Sequence, residues 1–141
     1  MIRSFKVDDL EAVMQIWLHT NVQTHSYVPK EYWMNNYDMV KKFIPESEVF
    51  VDEEEGEITG FIGLEKGYIA GLFVKKDYQS KGIGHRLVDY VKGSNDQLSL
   101  SVYTKNESAI SFYKRQDFEI KEKQVDENTG EEEYVMQWMR K

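Results

Sequence analysis

Between Leu72 and Val88 the chain changes its periodicity within a few residues. Leu72-Phe73-Val74 reads as the end of an apolar strand and Lys75 to Lys81 as a polar loop. Gly82-Ile83-Gly84 then opens a helix whose apolar residues Ile83, Leu87, Val88 and Val91 share one face. A strand that runs through a glycine turn into a helix leaves backbone N–H groups unpaired at the positive end of a helix dipole. Phosphate oxygens suit such a place, and at Gly82 and Gly84 no Cβ stands between a ligand and the backbone.

Two common phosphate motifs do not fit. The spacing G-x-x-x-x-G-K-[ST] is absent, and a dinucleotide fingerprint would need a third glycine where Leu87 stands. What remains is Gln79-Ser80-Lys81-Gly82-Ile83-Gly84, of the form [Q/R]-x-x-G-x-[G/A]. Taken alone it fits an ordinary glycine-containing helix start as well as a ligand loop.

The chain has 141 residues, the length of one domain (1–141), and 40% of them are hydrophobic. A chain of this size buries roughly 68% of its unfolded surface, so a packed core is expected. The 25 acidic residues outnumber the 18 basic ones for a net charge of −7, and there is no basic run. Nucleic acid is therefore not an expected partner. Cysteine is absent, which removes disulfides, thiolate metal sites and any cysteine nucleophile. No leader pattern precedes the first strand and no apolar run is long enough to span a bilayer, so a cytoplasmic protein is expected.

Taken in order, Met1 to Val7 reads as a first strand. Asp8, with Glu11 three residues on, resembles a capping box for a helix through about Thr20. A polar and aromatic connection with His25 and Tyr27 follows. Pro29 then suits the first turn of a second helix reaching Phe43. Val49–Val51 and Ile58–Leu64 form a hairpin whose acidic residues 52–57 are expected to be a solvated tip. Tyr68–Val74 is the strand before the glycine loop, and Gly93 suits the end of the helix after it. Leu98 to Val102 alternates as a strand, Asn106 caps a fourth helix, and residues 118–125 and 134–139 make a closing hairpin. The expected class is α/β: a mixed, largely antiparallel sheet flanked by helices.

The glycine loop resembles the acetyl-CoA pyrophosphate loop of the GNAT superfamily of N-acetyltransferases, of the small, single-domain bacterial type. Asn106-Glu107-Ser108-Ala109-Ile110-Ser111-Phe112-Tyr113, running on to Asp117-Phe118, is similar to that family's N-x-x-A-x-x-F-Y-x-x-x-G-F segment. The order of elements matches along essentially the whole chain. The resemblance implies that acetyl-CoA contacts Leu72, Phe73 and Val74 along its pantetheine arm and Gln79, Ser80, Lys81, Gly82, Ile83, Gly84 and His85 at its pyrophosphate. Asn106 would touch the cofactor arm, and the Tyr113 hydroxyl would lie near the thioester sulfur as a proton donor. No metal is implied. One departure is Asp117, where the family has glycine.

The resemblance implies direct transfer of an acetyl group to a primary amine, on a small molecule or a protein, by a monomer or homodimer. Its general base is missing. In relatives a glutamate stands at the positions of Tyr68, Ala70 or Ser101. Water, Tyr68 or His25 would have to help the amine lose its proton. Thr24-His25-Ser26-Tyr27-Val28 resembles a bacterial subgroup, so His25, Tyr27 and Tyr68 are candidate substrate residues. An acyl-CoA-binding sensor without catalysis is the alternative, and a nucleotide-binding regulatory domain a weaker third.

Overall fold

The helix that follows the glycine loop is anchored by a single stripe. Ile83, Leu87, Val88 and Val91 are all buried, at no more than 3% exposure, and each contributes roughly 1.5–3 kcal/mol through burial. Leu87→Ala alone would cost about 2–5 kcal/mol. The computed structural model describes residues 1–141. Its elements are β1 (Ile2–Ser4), α1 (Leu10–Thr24), α2 (Lys30–Phe43), β2 (Glu48–Glu54), β3 (Glu57–Glu65), β4 (Tyr68–Val74), α3 (Ile83–Lys92), β5 (Gln97–Tyr103), α4 (Glu107–Arg115), β6 (Glu119–Val125) and β7 (Glu132–Met139). The expected mixed α/β order is found element for element.

The strands form one seven-stranded sheet in the order β1-β2-β3-β4-β5-β7-β6. Every neighbouring pair is antiparallel except β4 and β5. Those two pair only at Tyr68↔Ser99 and Ile69↔Leu100 and then separate. The register on the other side of β4 shows why. Gly63 faces Gly71 but Leu64 faces Ile69, so Ala70 is an extra residue. A bulge of this kind bends its strand and ends pairing.

Each face of the sheet carries its own core. α3 and α4 cover one face with Leu98, Leu100, Val102, Tyr113, Phe118 and Met136 among the buried residues. On the other, Val13, Met14, Trp17 and Trp33 of α1 and α2 pack on Val49, Val51, Phe61 and Tyr103. No helix is long and apolar enough to cross a membrane.

Three local expectations need correction. β1 ends at Ser4 rather than Val7, because residues 7–9 form a 3-10 turn leading into α1. Asp8 and Glu11 make no capping bond; the 3-10 turn that leads into α1 is closed by Asp9 instead. Asp9 Oδ2 accepts from the Lys6 amide at 2.8 Å, and its carboxylate receives both Arg3 Nη1 (2.8 Å) and Nη2 (2.9 Å). The acidic run after Val51 is not wholly solvated either. Asp52 is fully buried, where it accepts from Thr59 Oγ1 at 2.6 Å and from the Met1 ammonium at 3.2 Å. A buried carboxylate without such partners would be strongly unfavourable.

Candidate active site

Beyond the point where β4 leaves β5, a groove of about 590 Å³ lies between the end of β4, the glycine loop and α4. One end is the glycine loop. Gln79 Nε2 donates to the Val74 carbonyl at 2.9 Å and ties the loop to the end of β4. Ser80 (φ 63°) and Gly82 (φ 86°) both lie in the left-handed region, which turns the chain sharply into α3. The first main-chain bond of α3 runs from the Arg86 amide to the Gly82 carbonyl at 3.0 Å. The amides of Ser80, Lys81, Gly82, Ile83, Gly84 and His85 therefore have no backbone partner. Free donors on consecutive residues at a helix N-terminus are the kind of group that anions bind.

The two glycines act for different reasons. Gly82 supplies the left-handed conformation. Gly84 allows a close approach between helices, because a Cβ there would stand 3.4 Å from Phe112 Cζ of α4.

The opposite wall is the start of α4. Asn106 Oδ1 accepts from the Ala109 amide at 3.3 Å and caps the helix. Its side-chain nitrogen lies 3.4 Å from His25 Nε2, and His25 Nδ1 lies 3.1 Å from Asn21 Oδ1. Asn21 Nδ2 in turn donates to the Trp17 carbonyl at 2.9 Å. This order of donors assigns the His25 proton to Nδ1 and makes Nε2 an acceptor. Burial pushes His25 down to about 4 from its ordinary 6.5, so the ring is neutral near pH 7.

Tyr113 lines the groove from α4 and is only 8% exposed, between Phe112 and Phe118 with ring centres at 5.2 and 5.5 Å. Burial raises its phenol well above the ordinary tyrosine value, with a smaller contribution from Tyr68. A neutral phenol is a hydrogen-bond donor throughout the physiological range. It suits donating to a developing thiolate better than surrendering its proton.

Residues 21–139 match the family model described as "Acetyltransferase (GNAT) domain". The chain belongs to the GNAT acetyltransferase family. It is 31% identical over 140 residues to the peptidyl-lysine N-acetyltransferase YiaC of Escherichia coli (strain K12), covering 98% of this chain and 96% of that one. The solution structure of apo-form YjaB from Escherichia coli matches with a TM-score of 0.87 at 26% identity, covering 100% of this chain and 98% of the other. A streptothricin acetyltransferase candidate from Bacillus anthracis, solved in complex with acetyl coenzyme A, shares the fold. Its TM-score is 0.61 at 24% identity, with 67% of this chain and 63% of that chain covered.

Within this GNAT fold the groove brings together Leu72, Phe73, Val74, Gln79, Ser80, Gly82, Ile83, Gly84, His85, Asn106 and Tyr113, with His25 at its edge. Lys81 is not part of the groove lining; its ammonium lies over the Tyr78 ring at 5.4 Å. Tyr27 and Tyr68 are not part of the groove lining. Tyr27 packs behind His25, with ring centres 5.8 Å apart, and Tyr68 lies where β4 and β5 still pair. Thr20, Thr24 and Phe112 line the groove and were not among the expected site residues. Phe112 sits in the motif beside Tyr113. Thr20 and Thr24 are four apart on a helix that runs one turn beyond its expected end. Asp117 has φ 71°, so a non-glycine residue holds the left-handed exit from α4.

Proposed function

We propose that residues 1–141 form one N-acetyltransferase domain that binds acetyl-CoA in the β4–β5 groove and passes the acetyl group directly to a lysine side chain of a polypeptide. The observation that carries this reading is the set of free amides from Ser80 to His85, on a loop that, Lys81 apart, lines the groove that also holds Asn106 and Tyr113. A diphosphate suits those donors, and the edge of β4 facing β5 is unpaired beyond Ile69, as an added extended arm requires. The similarity to a peptidyl-lysine N-acetyltransferase over nearly the full length supports the acceptor class.

When bound, acetyl-CoA supplies an activated acetyl group as a thioester. The chain's own residues hold and orient it. The loop amides fix the diphosphate, Asn106 is braced by His25, and the Tyr113 hydroxyl offers a donor to the sulfur. Without cysteine in the chain, no cysteinyl acyl-enzyme can form, so the amine attacks directly. Neither β4 nor β5 contains a carboxylate. His25 is too weak a base once buried, so the amine enters neutral with water taking its proton.

The test is calorimetric binding of acetyl-CoA and of ATP, beside thiol release with lysine peptides, polyamines and small amines. Acetyl-CoA should bind, ATP should not, and lysine peptides should turn over. Binding without turnover on any amine would instead make the domain an acyl-CoA sensor.

A further inference from the structure

α1 packs on β3 and β4, while β6, at the far edge of the same sheet, is exposed along its whole length. Beyond Tyr103, which is buried, this face is less covered: Glu133, Val135 and Gln137 of β7 are half-buried on the side away from α3. Register sets Tyr103 of β5 opposite Glu133 of β7. The turn between β6 and β7 brings Asp126 and Glu131, and the Tyr103 hydroxyl donates to Asp126 Oδ2 at 3.1 Å. Tyr27, from the α1–α2 connection, stands edge-on to Tyr103 at 5.6 Å. Burial raises the Tyr32 phenol of α2 above its ordinary value, with smaller contributions from Asp126 and Glu133. Asp126, Glu131 and Glu133 set carboxylates beside these rings, so this wall is both aromatic and anionic.

The wall already binds one alkylammonium. Lys105 Nζ stands 5.0 Å over the centre of the Tyr27 ring and 2.9 Å from Glu131 Oε1. The lysine side chain is 57% exposed and Glu131 only 18%, so the fixed partner is the carboxylate and the cation can swing away. An ammonium over an aromatic face beside a carboxylate is a cation site in miniature. The site also lies close to the groove: Tyr27 and Tyr103 both pack on His25, at 5.8 and 4.9 Å, and His25 contacts Asn106.

A cation held here cannot be the nucleophile. Attack needs a neutral amine, and a nearby carboxylate favours the charged form. The site suits a positive group that travels with the acceptor. Resting on the lysine-acceptor reading above, we propose that this wall selects acceptor segments carrying a second positive side chain beside the target lysine. Lys105 occupies the site until such a segment displaces it.

Paired peptides test this on the full chain. Each has a blocked N-terminus and one lysine, flanked in one peptide by arginine and in the other by glutamate. The arginine peptide should have the higher kcat/KM by about tenfold, the combined scale of a cation–π contact and an exposed ion pair. Glu131→Gln should bring that ratio toward one, and Lys105→Met should raise it, because the internal competitor is gone. Acetyl-CoA affinity by calorimetry should be unchanged in both variants. Equal kcat/KM for the two peptides in the wild type, or a ratio that Glu131→Gln leaves as it was, overturns the proposal. Acetyl-CoA binding with neither peptide acetylated overturns the lysine-acceptor reading instead.

Discussion

His25 Nε2 lies 3.4 Å from the amide nitrogen of Asn106, across 81 residues of sequence. The contact joins the end of α1 to the cap of α4, and both line one groove. Under the proposed function it would make His25 a positioning residue for the Asn106 side chain rather than a base. His25→Ala should raise the KM for acetyl-CoA about 3–10-fold, the worth of a typical hydrogen bond. The rate should still climb with pH toward the acceptor's own pKa, with no inflection near 6.5 in wild type or variant. A wild-type inflection there that His25→Ala removes would make His25 the base.

The same histidine gives stability a pH dependence. Its folded value, about 4, lies below its ordinary 6.5, so protons bind the unfolded chain more readily. Its contribution is fully present above pH 6.5 and is lost as pH falls from there toward 4. The depressed carboxyl of Asp9, held down first by Arg3, loses its contribution only below the ordinary value of 3.8. Stability toward urea should therefore fall between pH 7 and 4, and His25→Gln should flatten that slope. An unaltered slope in the variant would assign it to other groups.

Much of this was legible in the chain. The change from alternating strand to helical stripe around Gly82 marked β4, the loop and α3, because glycine and periodicity are local signals. The end of α1 was not legible. Of residues 21–24 only Val22 is apolar, and only the fold shows Asn21 buried with its amide bonded to the Trp17 carbonyl. Nor was Asp52, whose ammonium partner lies 51 residues away. Tyr27 stood beside His25 in sequence, yet its ring turns toward Tyr103 and away from the groove.

Gly84 and Phe112 face each other in the lining of the groove. A Cβ at Gly84 would meet Phe112 Cζ at 3.4 Å, and valine adds two methyl groups beyond it. Gly84→Val should push the α4 ring or the loop aside and weaken acetyl-CoA binding by more than about tenfold, the scale of one charge-assisted hydrogen bond. Far-UV circular dichroism should stay that of the wild type. Unchanged affinity by calorimetry would remove the loop from the site.

Asp117 holds φ 71° at the exit from α4, where the Phe118 amide donates to the Tyr113 carbonyl at 3.0 Å. Glycine adopts this conformation without a Cβ penalty, offset in part by its freer unfolded chain. Asp117→Gly should stabilise by about 0.5–1 kcal/mol. A lower melting temperature would mean that the Asp117 side chain contributes more than its backbone strain costs.

Tyr113 is where structure and rate should separate. Its ring is packed between Phe112 and Phe118, and its buried hydroxyl stays protonated because burial raises its pKa. As negative charge gathers on the departing sulfur, a hydrogen bond from this hydroxyl strengthens. A contact stronger in the transition state than in the ground state acts on kcat more than on binding. Tyr113→Phe keeps the ring, so the melting temperature and the acetyl-CoA affinity should change little. With a lysine peptide as acceptor, kcat should fall about 100-fold, the lower end of what a positioned proton donor supplies. Steady-state kinetics beside equilibrium binding reads both quantities on one preparation. Turnover at the wild-type rate, under conditions where chemistry limits, would leave Tyr113 with packing as its only role.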